Sequence, residues 1–167
     1  MGLAGCAGNW GGGQQVMFPY RANGDNSLNS NYADLDPQVT GRYLVYVSER
    51  RGSQDIFLFD LRDRRLVPLP GLNRFDRLVS HPSISEDGNW IVYAASQDRR
   101  TGIFLYRRDL QRTRNLVPTL QGEVRNPVIS ANGDRIAFEV SLKGQWDIAL
   151  YDRQGRPLPI PGNAARP

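Results

Sequence analysis

The sequence predicts an all-β chain made of three copies of one four-stranded antiparallel unit. Three observations carry this. Three segments align at a fixed interval, with Pro37, Pro82 and Pro127 spaced 45 residues apart. The dipeptides Asp87-Gly88 and Asn132-Gly133 follow the second and third prolines, and such pairs favour tight hairpins because glycine and Asx residues accept positive φ. Helical periodicity is absent, and the 11 prolines recur too often for long helices.

Each unit reads as four short strands. The first has the pattern Pro-x-[Val/Ile]-[Ser/Thr]. The second, such as Trp90 to Ala95, is almost wholly apolar, which suits a strand covered on both faces. A polar loop leads to the third, where Asp55 to Asp60 aligns with Gly102 to Arg107 and Asp147 to Asp152. The fourth is basic, apolar and Pro-containing: Arg65 to Pro70, Arg114 to Pro118 and Arg156 to Pro161. The units occupy about 31–71, 72–118 and 119–162, within a repeat region of 31–167. Residues 1–30 form a polar, Gly-rich tether.

Four-stranded units of 40–45 residues are the signature of β-propeller blades, which hide their apolar faces only by stacking. Tyr46, Tyr93, Phe138, Phe57 and Phe104 are expected in the core between blades. The first unit is two residues shorter at its turn, since Gly41 follows Pro37 more closely than Gly88 follows Pro82. Three blades do not close a ring, because propellers use about 4–8. The fold class is therefore a partial β-propeller of three four-stranded antiparallel blades, open or completed by a second chain or a partner. The segment Val16 to Tyr20 is a further candidate to cover one open edge, since bare strand edges are a liability.

Composition bounds the function. Hydrophobic content of 40% and charged content of 23% suit a globular chain. Cys6 is the only cysteine, so no internal disulfide forms. The net charge is +4, and 20 of the 21 basic residues are arginine. They alternate with acids, as in Asp60-Leu61-Arg62-Asp63-Arg64-Arg65, and do not make the dense stripe of a nucleic-acid binder. No apolar run reaches the roughly 18 residues of a membrane span.

The repeat Pro-x-[Ile/Val]-Ser-x-[Asp/Asn]-Gly-x-x-Ile-[Val/Ala]-[Tyr/Phe], followed by Asp-Ile-x-Leu-[Tyr/Phe]-Asp, resembles the WD-like repeat of TolB-type propellers across about residues 31 to 162. The resemblance implies a periplasmic propeller that engages other envelope proteins. TolB itself carries six blades and a separate N-terminal domain, whereas this sequence shows three units and a short tail. Leu3-Ala4-Gly5-Cys6 resembles a bacterial lipobox, which implies lipid attachment at Cys6. Only two residues precede Leu3, where a signal peptide needs an apolar region of about 7–15. Either the true start lies upstream or the match is accidental.

Candidate site residues follow from the repeat. The loops between second and third strands carry Arg50, Arg51, Arg99, Arg100 and Lys143. Equivalent loops of stacked blades share one face, so these five are expected to form a basic rim for an acidic partner or anionic headgroups. The bland alternative is that hairpin tips are charged because they are exposed. His81 precedes Pro82 where Asp36 and Asn126 precede the other prolines, which points to a turn or backbone-bonding role and away from a catalytic triad. The Asn- and Asp-rich stretch Asn23 to Asp36 lacks EF-hand spacing and reads as a solvated linker. No metal and no cofactor is expected.

The expected function is a non-catalytic protein–protein interaction module of the bacterial envelope. Its expected partners are envelope or membrane-complex proteins, or itself as a dimer, without nucleic acid, and with membrane contact only through a lipid anchor. Two alternatives are a glycan-binding propeller, which needs Trp10, Trp90 and Trp146 exposed, and an accessory propeller of a peptidase or other hydrolase.

Overall fold

A computed structural model describes residues 27–160. Cys6, Trp10, the segment Val16 to Tyr20, the first part of the Asn23–Asp36 stretch and Pro161 lie outside the described residues. The first sheet holds β1 (Asp34–Val39), β2 (Tyr43–Ser48), β3 (Asp55–Asp60) and β4 (Arg65–Val67), paired in that order. The second holds β5 (Leu78–Ile84), β6 (Trp90–Gln97), β7 (Arg100–Arg107) and β8 (Arg112–Asn115), again in chain order. The third holds β9 (Glu123–Ile129), β10 (Arg135–Leu142) and β11 (Gln145–Asp152). All pairings are antiparallel. The sheets are blades of an open arc.

The third blade differs from the sequence expectation of four strands. Its fourth strand shrinks to one bridge, Tyr151 to Pro157, flanked by two bonds, from the Leu158 N–H to the Leu150 carbonyl and from the Asp152 N–H to the Arg156 carbonyl. Pro157 and Pro159 turn their donor-less nitrogens to the outer edge, where a proline is tolerated and no further strand can pair.

The repeat builds the same local devices in each blade. The hydroxyls of Thr40, Ser85 and Ser130 accept the N–H of Tyr43, Trp90 and Arg135, each at 3.0 Å. These bonds close the turn between first and second strands. Asp36, His81 and Asn126 share a left-handed φ of 49°, 49° and 52°, and the strand register shifts there in all three blades. They are bulge residues, where polar side chains tolerate the conformation best. The His81 N–H donates to the Asp36 carboxylate at 2.9 Å, so its role joins one blade to the next.

Blades lock together by periodic contacts. The Gln38 side-chain oxygen accepts the Ile84 N–H at 2.7 Å, and the Ser83 hydroxyl accepts the Ile129 N–H at 3.1 Å. Between them lies the core. Val45, Val47, Ile56 and Leu58 of blade 1 face Ile91, Tyr93, Phe104 and Tyr106 of blade 2. Val92, Ala94, Ile103 and Leu105 on the other side of blade 2 face Ile136, Phe138 and Val140. Burying each such large side chain contributes roughly 1.5–3 kcal/mol, so the middle blade, covered on both faces, gains most.

Tyr46 and Phe57, expected between blades, lie instead with Phe59 on the outer face of blade 1, against Leu28, Leu44 and Leu66. The stack has no earlier blade to cover them among the described residues. On blade 3, β10 alternates between buried Ile136, Phe138 and Val140 and partly exposed Ala137 and Glu139, the pattern of a strand covered on one face only.

Candidate functional site

The β2–β3, β6–β7 and β10–β11 loops fall at one end of the arc, because consecutive antiparallel hairpins alternate ends. Arg51, Arg99, Arg100 and Lys143 are all exposed there. Asp98, Arg99 and Lys143 take left-handed φ values of 51°, 62° and 55°, which turn the chain tightly at the tips.

Arg50 does not join them. Its side chain is only 4% exposed. It donates to the carbonyls of Ser27 and Leu28 at 2.7 Å each and to the Asp34 carboxylate at 3.1 Å. Its guanidinium lies 4.7 Å from the Phe57 ring centroid and 5.6 Å from that of Tyr46. An arginine stacks on aromatic faces while its fork satisfies acceptors, so Arg50 closes the outer face of blade 1. Burial pushes the Tyr46 phenol up to about 12, and the Asp34 carboxyl is held below its ordinary value by hydrogen bonds from Ser48, Ser30 and Arg50 that outweigh its desolvation.

Between blades 2 and 3 the same face opens into a groove of about 1110 Å³. Arg99, Arg100 and Arg125 line it with Asp98, Glu123 and Trp146. Sequence reasoning missed Arg125, and it named Trp146 only as a candidate for glycan binding. Arg125 lies 3.8 Å from the Trp146 ring centroid and bonds the Glu139 carboxylate at 2.6 Å. That pair holds the guanidinium in place, and Trp146 remains 38% exposed. The Glu139 carboxyl is held below its ordinary value by hydrogen bonds from Asn126 and then Arg125. Inverse spacing explains the miss: Arg125 and Trp146 meet across β9, β10 and β11, and no local motif joins them.

Gly102 forms the groove floor where the other blades have Asp55 and Asp147. A Cβ on Gly102 would stand 3.1 Å from Phe104 and 3.2 Å from the Asn115 amide. Asp55, in contrast, is buried, and desolvation raises its carboxyl above the ordinary value. The glycine thus exchanges a buried acid for an aromatic floor, beneath walls that carry Arg99, Arg100 and Arg125 beside Asp98 and Glu123. Such a surface takes carboxylates through forked hydrogen bonds and apolar groups through Trp146 and Phe104.

Neither a family model nor a curated protein matches the sequence. Solved structures do match. TolB from Acinetobacter baumannii superposes with a TM-score of 0.62 at 20% identity, over 75% of this chain and 31% of that one. A structure described as TolB from Agrobacterium tumefaciens gives 0.60 at 19% identity, over 78% and 48%. The propeller domain of the Trilobed protease from Pyrococcus furiosus, which has an open velcro topology, gives 0.55 at 13% identity, over 78% and 43%. The chain therefore spans less than half the length of each, and it shares with them the fold of TolB-like propeller blades.

Proposed function

We propose that this chain is a non-catalytic protein–protein interaction module of the bacterial envelope, a TolB-like component of a membrane-associated complex in the periplasm. The carrying observation is the groove between blades 2 and 3, where Arg99, Arg100 and Arg125 surround the half-exposed Trp146. Arginine and tryptophan are the residue types that anchor protein interfaces. The partner segment is acidic, with an apolar side chain for Trp146 and Phe104. The likeness to TolB supports the envelope setting, and Cys6 is the proposed lipid attachment point.

The glycan reading finds Trp146 exposed, as it requires, but Trp90 partly buried. Trp90 has Arg107 on its ring at 5.0 Å and Arg153 at 5.3 Å, which leaves little of its face for a sugar.

The test is site-specific photo-crosslinking from position 146 in living bacteria, followed by identification and purification of the crosslinked protein. Affinity for that protein should fall at least tenfold in the Arg99→Glu/Arg100→Glu variant. An unchanged affinity would refute the groove as the binding site. Loss of labelling by an alkyne-tagged fatty acid in Cys6→Ser would support the anchor, and unlabelled wild-type protein would remove it.

A further inference from the structure

The opposite end of the arc is rich in arginine, interspersed with Asp63, Glu86, Asp87, Asp109 and Asp134. There the turns joining third and fourth strands present Arg62 and Arg64 in blade 1, Arg108 and Arg112 in blade 2, and Arg153 and Arg156 in blade 3. Among the described residues, Arg62, Arg64, Arg108 and Arg112 have no carboxylate within ion-pair distance, while Arg153 and Arg156 pair with Asp134 and Asp152. Between blades 2 and 3 this end opens into a second groove, of about 710 Å³. Arg107, Arg112, Arg114 and Arg153 line it around Trp90, and no described acid does. Arg114 donates to the backbone carbonyls of Arg153 and Gln154, which fixes the groove wall.

Two leucines stand out of this end. Leu110 is 52% exposed and Leu61 38% exposed, each at the tip of an arginine-bearing turn. Leu110 stands at the groove's edge, among its lining residues, and Leu61 stands on the neighbouring blade, away from it. A protein partner would need a separate pocket for each. A lipid surface offers both of them one continuous apolar phase, with phosphates at the depth of the surrounding guanidinium groups. Equivalent turns of stacked blades end at a common level, which suits a planar surface.

We propose that this turn face docks on an anionic phospholipid surface, with its arginines taking headgroup phosphates and Leu61 and Leu110 entering the interface. Forked arginine contacts match phosphate oxygens, and attraction to an anionic leaflet is worth about fivefold in partition for each arginine near the surface. The docking leaves the hairpin-tip groove facing away from the bilayer, free for a protein partner.

The experiment is co-sedimentation of the full chain carrying Cys6→Ser, so that no acyl group contributes, with two kinds of vesicle. One is phosphatidylcholine alone, and the other is phosphatidylcholine and phosphatidylglycerol in equal parts. Binding is expected only to the second kind, and to weaken as salt is raised. The exposed triple variant Arg62→Ala/Arg64→Ala/Arg112→Ala should lose about a hundredfold, and Leu110→Ser about tenfold. The pair Arg99→Ala/Arg100→Ala, on the other end, should stay within about twofold. Equal loss in that pair would reduce the effect to net charge and overturn the proposal. So would equal sedimentation with both kinds of vesicle, or binding of polyglutamate or inorganic phosphate that needs Arg112 while the vesicles stay unbound. A failed crosslink at the hairpin-tip groove would leave this result standing, so the two readings fail separately.

Discussion

Trp90 packs so closely on Gly133 of the next blade that a Cβ there would stand 2.8 Å from its indole Cδ1. Tyr43 meets Gly88 in the same way one blade earlier, at 2.3 Å. Both glycines also hold left-handed φ values, 73° and 69°. Two costs therefore add for any side chain. The backbone term is roughly 1–2 kcal/mol and the overpacking term roughly 1–3 kcal/mol. Gly88→Ala and Gly133→Ala should each lower unfolding stability by about 2–5 kcal/mol in urea titrations. Gly52 and Gly144 have φ of 80° and 86° with nothing within 4 Å of a built Cβ. Their alanine variants should lose only about 1–2 kcal/mol. Equal losses at all four sites would show that inter-blade packing plays no part.

Arg50 stands where an earlier blade would. Removing it uncovers Tyr46 and Phe57 and leaves the partly buried Asp34 without its guanidinium. Breaking a buried pair by deleting one partner costs about 3–5 kcal/mol. Arg50→Ala should therefore destabilise the chain by about 3 kcal/mol, whereas Arg51→Ala, exposed at the next position with its guanidinium 5.0 Å from the Phe57 centroid, should cost only about 0.5–1 kcal/mol. Thermal unfolding of both variants separates a structural Arg50 from a rim residue.

The repeat was legible because it is written in local chemistry. Thr40, Ser85 and Ser130 close equivalent turns, and Asp36, His81 and Asn126 occupy equivalent bulges. Both devices recur at fixed offsets from a proline. What stayed hidden depends on a blade's place in the stack. Arg50 and Arg99 look alike as loop arginines, yet Arg50 has bare aromatics beside it and Arg99 does not. The groove pair Arg125 and Trp146 is joined only by strand register. The charge of the turn end was masked because Arg62 and Arg64 alternate with acids along the chain, although folding gathers arginine-bearing turns from three blades at one level.

Acid should loosen blade 1 through Asp60. The Asp60 carboxyl is held down to about 2, chiefly by the Arg42 guanidinium at 2.7 Å and also by the N–H groups of Arg62 and Asp63. Its ordinary value is 3.8. A carboxylate held lower in the folded state stabilises that state above the unfolded value, and the gain fades as pH falls through the folded one. Stability should thus drop between about pH 4 and pH 2. Asp60→Asn should flatten that part of the pH–stability curve while lowering stability at neutral pH. A curve unchanged by the substitution would reassign the acid sensitivity to other carboxylates.

The outgoing face of blade 3 keeps Ile148 and Leu150 where Ile56, Ile103, Leu58 and Leu105 pack between blades, but departs from the inter-blade pattern on its first two strands. The acceptors Gln38 and Ser83 give way to Val128, 56% exposed. The aromatics Tyr43 and Trp90 give way to Arg135, and the apolar Val47 and Ala94 to Glu139. The charges of Arg135 and Glu139 interrupt the apolar surface of Val128 and Ile148 and oppose further stacking. With Arg50 closing the other end, a second copy finds neither face of the arc prepared for it. The expected outcome in sedimentation equilibrium is a single chain at micromolar concentration. Restoring the pattern with Val128→Gln, Arg135→Trp and Glu139→Ala should expose an apolar, acceptor-bearing face and drive concentration-dependent association. A native dimer that the triple variant leaves unchanged would mean that copies pair through some other surface.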